Sequence, residues 1–348
     1  MTINDADKDK LLHDLGISYS SFRVEKSRDC VRNDNVERLL SYYNVNPVGD
    51  RVRYENCINN LYYAIYFKDT NSIKLYLDEI NNYIDEYNFL KPIFVLFKIF
   101  GLMNLGGNIY EIKECTKSDL MYICNFKKGF FLDEFELLYE AVMLSFNVKD
   151  DYTKIANLSL KYDKLNWIYL STKGSCLYLN GKDNEALRCY KELLDEFEKT
   201  HNNERLMSTY SNIGFLYNAL NEYTLCIKTL QNALYNVFSP SDSIWISNIV
   251  LNYVFACFMI SKYAEIINLV TNNLFQYKRL NWVSASIFIL ACFFFDDFSK
   301  ASNVISYFKD DENVNAILKY LKTNDLKCLD LIKTTQFSLK IIEKLKCL

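Results

Sequence analysis

Turn-forming residues are scarce: the 348 residues include nine glycines and three prolines, Pro47, Pro92 and Pro240. Sandwiches, barrels and doubly wound α/β folds turn tightly after each short strand and use more of both, so long helices with brief connections fit better. Histidine is nearly absent. His13 and His201 each lack a Cys or carboxylate at metal-ligand spacing and a Ser or Cys to activate, and they read as surface residues. Nor is there a C-x-x-C pair, a Walker loop or a G-x-G-x-x-G fingerprint, and Gly106-Gly107 falls at an expected repeat turn rather than after a strand. The eleven cysteines are odd in number and scattered, which suits small core residues in a reducing cytosol better than a disulfide framework. The acid pairs Asp150-Asp151, Asp296-Asp297 and Asp310-Asp311 lie in or beside expected inter-helix turns, where capping carboxylates belong. No catalytic residue, metal site or cofactor is expected.

An excess of either charge is also missing. Forty Lys+Arg stand against 43 Asp+Glu, a net −3, which excludes a chain coated in basic residues but not a small local nucleic-acid surface. The first ten residues carry five charges and no apolar run, unlike a secretory signal. Two uncharged stretches, 243–261 and 282–295, invite a membrane reading. The first carries Asn248 and Asn252, and the second is shorter than the roughly 20 residues a span requires, so both are expected to be buried helices. The expected location is the cytoplasm, with no membrane partner. Half of the residues are hydrophobic and 16% aromatic, ample for a core. The chain is long for one domain of roughly 100–200 residues unless it is a repeat array.

A repeat is present. Leu170-x3-Gly174-x2-Leu177-x3-Gly181-Lys182-x3-Ala186-x3-Tyr190 returns 40 residues on as Tyr210-x3-Gly214-x2-Tyr217-x3-Asn221-Glu222-x3-Cys226-x3-Leu230. A further step of 40 gives Val250, Val254, Cys257, Ser261-Lys262, Ile266 and Val270. The turn position runs through Lys68, Gly107, Asn147, Gly181, Asn221, Ser261 and Asp296, at steps of 39, 40, 34, 40, 40 and 35 residues. Each turn residue is polar or Gly and sits between two apolar helical patterns, so about seven helix hairpins are expected.

The pattern resembles the tetratricopeptide repeat. Gly174 and Ala186, then Gly214 and Ala233, stand at its small positions, and Leu177 and Tyr217 at a large one; Val254 departs from the pattern, and most repeats are longer than the usual 34 or so residues. The resemblance implies a right-handed α-solenoid over 50–348 within an all-α protein.

Residues 1–46 read differently. Leu11, Leu12 and Leu15 share one helical face, Gly16 breaks it, Ser18 is a good N-cap, and Tyr19–Lys26 continues as a second helix. Asp34-x-x-Glu37 forms a capping box for a third helix, with Val36, Leu39, Leu40 and Tyr43 as its apolar face. The run Leu11–Phe22, with its Leu15-Gly16-Ile17-Ser18 turn, resembles the helix-turn-helix of phage-repressor-like domains. The resemblance implies that Ser18–Arg28 enters the major groove, with Ser18, Tyr19, Ser20, Ser21 and Arg23 on the DNA side and Lys26, Arg28 and Arg32 on phosphates. Over 18–32 four basic residues stand against two acidic ones. The alternative is a small three-helix bundle that caps the array or docks a protein.

Within the repeats, Asn212 and Asn252 stand 40 apart on first helices, and Asn248 lies one turn before Asn252. First helices line the inner surface of such a superhelix, where an amide can both donate to and accept from an extended peptide backbone. Asn212, Asn248 and Asn252 are therefore the expected peptide-binding residues, bordered by Tyr210, Tyr217 and Lys173. The Lys-rich end, 319–348, with seven Lys and three acidic residues, reads as a terminal hairpin sealing the array.

A helix-turn-helix-like head on such repeats resembles the peptide-pheromone-responsive regulators of Gram-positive bacteria and their phages, the Rap–NprR–PlcR–Rgg class with its arbitrium-receptor relatives. The resemblance implies a cytosolic homodimer whose groove binds a short signalling peptide that modulates binding to double-stranded DNA. The alternative is a Rap-like protein-interaction regulator that never touches DNA.

Overall fold

In the structure, a computed structural model, residues 49–86, 91–105, 112, 116–124, 137–139, 141–143, 166–234, 245–271 and 280–347 are described. Among them every regular element is a helix. The chain clusters into two compact units that divide between Phe146 and Asn147, inside the stretch the repeat pattern treats as continuous. The first contains α1 (Gly49–Phe67), α2 (Thr70–Glu86), α3 (Lys91–Asn104) and α4 (Lys117–Cys124). There α1 pairs with α2, α2 with α3 and α3 with α4.

The second unit contains α5 (Asn166–Leu179), α6 (Asp183–Lys199), α7 (Asn203–Ala219), α8 (Tyr223–Asn232), α9 (Trp245–Met259), α10 (Tyr263–Thr271) and α11 (Trp282–Phe294). Two 3-10 turns, Phe298–Ala301 and Leu326–Leu331, alternate with α12 (Ser302–Tyr307), α13 (Glu312–Thr323) and α14 (Gln336–Lys346). Each helix from α5 to α11 packs on its successor where the connection is short, and α7 also packs on α9, and α9 on α11. Thus α7, α9 and α11, which open successive hairpins, are neighbours.

The helices follow from their patterns. In α6, Ala186, Leu187, Tyr190, Leu193 and Phe197 recur at three- and four-residue spacing and are buried, while Asp183 and Glu185 open the helix and Lys199 closes it, matching the dipole. α9 and α11, the two uncharged stretches, are buried on almost every face because they have neighbours on both sides. Among the described residues no helix is long and apolar enough to cross a membrane.

The turns share one construction. Lys68, Gly181, Asn221, Ser261 and Asp296 all have positive φ, between 55° and 72°. Behind each, the next residue donates its N–H five residues back: Asp69 to Ala64 O, Lys182 to Leu177 O, Glu222 to Tyr217 O, Lys262 to Cys257 O and Asp297 to Cys292 O, at 2.8–2.9 Å. This is the Schellman closure, in which a left-handed residue lets the chain reverse while satisfying orphan carbonyls. Five of the seven turn positions in the sequence series are thereby placed; Gly107 and Asn147 lie outside the described residues. His201 closes α6 in the same way, with the Asn202 N–H on Phe197 O, though the sequence pattern did not flag it.

The small positions mark close approach. A Cβ on Gly174 would stand 2.9 Å from Tyr190 Cε2, and one on Gly214 2.7 Å from Leu230 Cδ1. At the equivalent places in α9 and α10 stand Val254 and Val270, both buried, so the larger first-helix residue is matched by a smaller second-helix one.

Candidate functional site

Second helices cover one flank of α7 and α9 and leave another. On α7 the partly exposed residues Ser208, Asn212, Phe215 and Ala219 recur at three- and four-residue spacing, and on α9 the corresponding positions are Asn248, Leu251 and Met259, with Phe255 between them fully buried. Asn248 is the exposed member of the pair predicted on α9, and Asn212 is half-buried.

Asn252 is elsewhere. It is buried between α7 and α9, where its Nδ2 donates to Ser211 O at 3.1 Å, while Asn218 Nδ2 donates to Asn252 O at 3.0 Å and to its Oδ1 at 3.3 Å. The side chain ties two helices together, so the amide expected at the peptide surface sits inside the α7–α9 seam. The 40-residue equivalence with Asn212 fails for a local reason. On α7 the buried member of the adjacent pair is Ser211 and the surface member Asn212, whereas on α9 Leu251 faces out and Asn252 in. Asn218 Oδ1 has no donor among the described residues.

The tyrosines expected at the groove border are also internal. Tyr210, 2% exposed, donates its hydroxyl to Glu198 Oε1 at 3.0 Å and accepts from Asn232 Nδ2 at 3.3 Å. Burial first, then the Glu198 contact, pushes its pKa up to about 12. Tyr217 is buried, with the Lys191 ammonium 5.5 Å from its ring centre. Lys173 on α5 is half-buried and donates to Tyr169 Oη at 3.3 Å, and that bond raises its pKa against the opposing effect of burial. Of the six predicted peptide-binding residues, Asn212 and Asn248 are thus the two on the stripes of α7 and α9 that the second helices leave. The predicted DNA-facing residues, Ser18, Tyr19, Ser20, Ser21, Arg23, Lys26, Arg28 and Arg32, lie outside the described residues.

What the sequence reading missed is the occupant of these stripes, α14. Phe337 packs its ring against Phe215 of α7 and Phe255 of α9, with centroids 6.0 and 4.7 Å away and planes crossed at 80° and 67°. One turn later Lys340 Nζ donates to Asn218 O at 3.0 Å and Asn221 Oδ1 at 2.8 Å, at the C-terminus of α7. A further turn on, Lys344 Nζ donates to Phe258 O, to Met259 O at 3.1 Å and to Ser261 Oγ at 3.0 Å, at the C-terminus of α9. Its ammonium also lies 4.9 Å from the Phe258 ring centre. Asn218 and Phe258, Asn221 and Ser261, and Phe215 and Phe255 are each 40 apart, so α14 reads the same three positions in two successive repeats.

Burial pushes Cys257 and Cys292 up to about 12 and Cys226 higher still, so these sulfurs stay protonated and unreactive near neutral pH. Among the described residues no three His, Cys, Asp or Glu side chains gather where they could hold a metal ion. The chain matches no protein-family model, no curated protein and no solved structure.

Proposed function

We propose that this protein is a peptide-sensing regulator: a tetratricopeptide-like α-solenoid whose first-helix surface binds a short peptide, joined to a helix-turn-helix-like head at 1–46 that binds double-stranded DNA. The observation that carries the peptide half is the paired stripe of α7 and α9, repeated at 40-residue spacing and already engaging one segment through side chains and helix-end carbonyls. Surfaces of this kind take amphipathic helices through anchors at i, i+3, i+4 and i+7. The head rests on the sequence pattern of 1–46, and the homodimer on the symmetry that two half-sites about one DNA turn apart would require. In a cytosolic regulator of this kind the peptide shifts the population of heads able to engage DNA by its differential affinity for the two states.

The deciding experiment is recovery of fragmented DNA from the source genome by the purified full-length protein at physiological salt, repeated with Arg23→Ala/Arg28→Ala. One or a few fragments, lost in the variant, support the reading. Sequence-blind, salt-sensitive recovery refutes the DNA half and favours a regulator that docks a protein through 1–46.

A further inference from the structure

We infer that the α7–α9 face is a docking site for a basic amphipathic helix, and that α14 is its resident occupant in cis, which must leave before an external peptide of the same chemistry binds. The inference rests on the peptide-binding half of the proposed function and adds the ligand class and its regulation.

The chemistry of the occupant is set by what the face offers. Phe215 and Phe255 present a two-ring aromatic seat, which Phe337 fills. Beyond the seat lie the C-terminal ends of two neighbouring helices, where aligned carbonyls concentrate partial negative charge. Ammonium groups complement both ends: Lys340 takes Asn218 O and Asn221 Oδ1, and Lys344 takes Met259 O and Ser261 Oγ. The matching ligand is therefore a helix with an aromatic residue, a cation three residues later and another four beyond that, as in Phe337-x2-Lys340-x3-Lys344. An acidic peptide would place carboxylates against the carbonyl ends and be excluded.

α14 also has the features of a detachable element. It carries its own start: Thr335 Oγ1 accepts from the Ser338 N–H at 3.0 Å, and Ser338 Oγ accepts from the Thr335 N–H at 2.7 Å, a capping box that needs no help from the rest of the protein. It buries only Ser338, Ile341 and Leu345, whereas α11, two residues longer, buries ten. Leu339 on its outer side is exposed. Before it the chain is secured by the Lys333 N–H on Asn313 Oδ1 at 2.7 Å, so release of α14 would leave the preceding elements in place.

The test uses the full-length chain and a synthetic peptide of residues 334–346 carrying a fluorophore. In hydrogen exchange the α14 amides should exchange at least about tenfold faster than those of α7 and α9, through a local opening. The Lys340→Ala/Lys344→Ala variant, its fold checked by circular dichroism, should bind the peptide at least about tenfold more tightly than the wild type, because a closed strap lowers apparent affinity by the fraction of open molecules. Excess peptide should further speed α14 exchange in the wild type. Protection of α14 equal to that of α7 and α9 would overturn the inference and make it a fixed cap, and so would a variant whose α14 exchanges freely yet binds no peptide. Failure of the DNA-recovery experiment leaves these outcomes unchanged, so the two readings fall separately.

Discussion

Asn252 and Asn248 lie four residues apart on α9 and should respond oppositely to replacement by alanine. Asn252→Ala removes the hydrogen bond from its Nδ2 to Ser211 O and the 3.3 Å contact with Asn218 Nδ2, though the stronger 3.0 Å bond from Asn218 to the Asn252 backbone oxygen survives. One net buried hydrogen bond contributes about 1 kcal/mol, and the emptied amide volume between two packed helices adds to the loss, so a cost of about 1–3 kcal/mol is expected. Asn248→Ala, on an exposed site, should stay within about 0.5 kcal/mol of the wild type. Urea unfolding with unchanged m-values gives both numbers. A double-mutant cycle of Asn252→Ala with Asn218→Ala should show coupling of about 0.5 kcal/mol or more, since the two amides touch. Peptide titration on the same variants completes the comparison: Asn248→Ala should weaken binding without loss of stability. An Asn252→Ala protein as stable as the wild type but deficient in peptide binding would refute the structural assignment and restore the amide to the ligand surface.

Two glycines should resist alanine for different reasons. Gly181→Ala should cost about 1 kcal/mol in urea unfolding through φ alone, because its φ is +72° and no atom lies within 4 Å of the added methyl. Gly214→Ala meets Leu230 Cδ1 at 2.7 Å, and overpacking of about 1–3 kcal/mol should outweigh the gain of about 1 kcal/mol in helix propensity; Leu230→Ala added to it should recover part of that contact strain in a double-mutant cycle. Stability should fall in alkali. Tyr210 is raised to about 12, so its contribution is complete below the unfolded value near 10 and is lost as pH climbs toward 12, and the raised thiols of Cys257 and Cys292 act in the same direction from about 9. Tyr210→Phe should flatten that limb in urea titrations between pH 9 and 12, and an unchanged slope would contradict the buried phenol. Lys340 and Lys344, lowered by burial, run the other way: the unfolded chain keeps those protons longer, so their share of stability rises with pH.

The turn series was legible because a left-handed closing residue leaves a chemical mark: Gly, Asn, Asp, Ser or Lys stands between two apolar patterns, and Gly181, Asn221, Ser261 and Asp296 carry it. The small positions were legible for a related reason, since Gly174 and Gly214 sit where the facing Tyr190 and Leu230 leave no room for a methyl. The exchange of inside and outside between Ser211-Asn212 and Leu251-Asn252 was not, because the burial of two adjacent residues can differ between repeats while the 40-residue step stays intact. Nor could the period announce the division at Phe146, since repeated spacing records the identity of hairpins and not how they cluster.

The docking of α14 was illegible for a deeper reason. Its partners lie 122 and 86 residues away, and the atoms that Lys340 and Lys344 reach are mainly backbone carbonyls at helix ends. Every α-helix has such carbonyls whatever its sequence, so no side-chain pattern on α7 or α9 advertises them. Only the spacing on the ligand side is informative, and without the structure a Phe followed by two lysines is indistinguishable from a solvated terminal helix. That asymmetry has a testable consequence. Recognition through carbonyl ends depends on the ligand's charge more than on the identity of residues on the receptor. A 334–346 peptide with Lys340→Glu and Lys344→Glu should therefore lose binding to the strap-weakened protein by at least about tenfold, as the two ammonium contacts become repulsive. Receptor changes such as Ser261→Ala, which leaves the Met259 carbonyl in place, should cost far less. Equal binding of the charge-reversed peptide would show that Phe337 and the apolar face of α14 carry the contact alone.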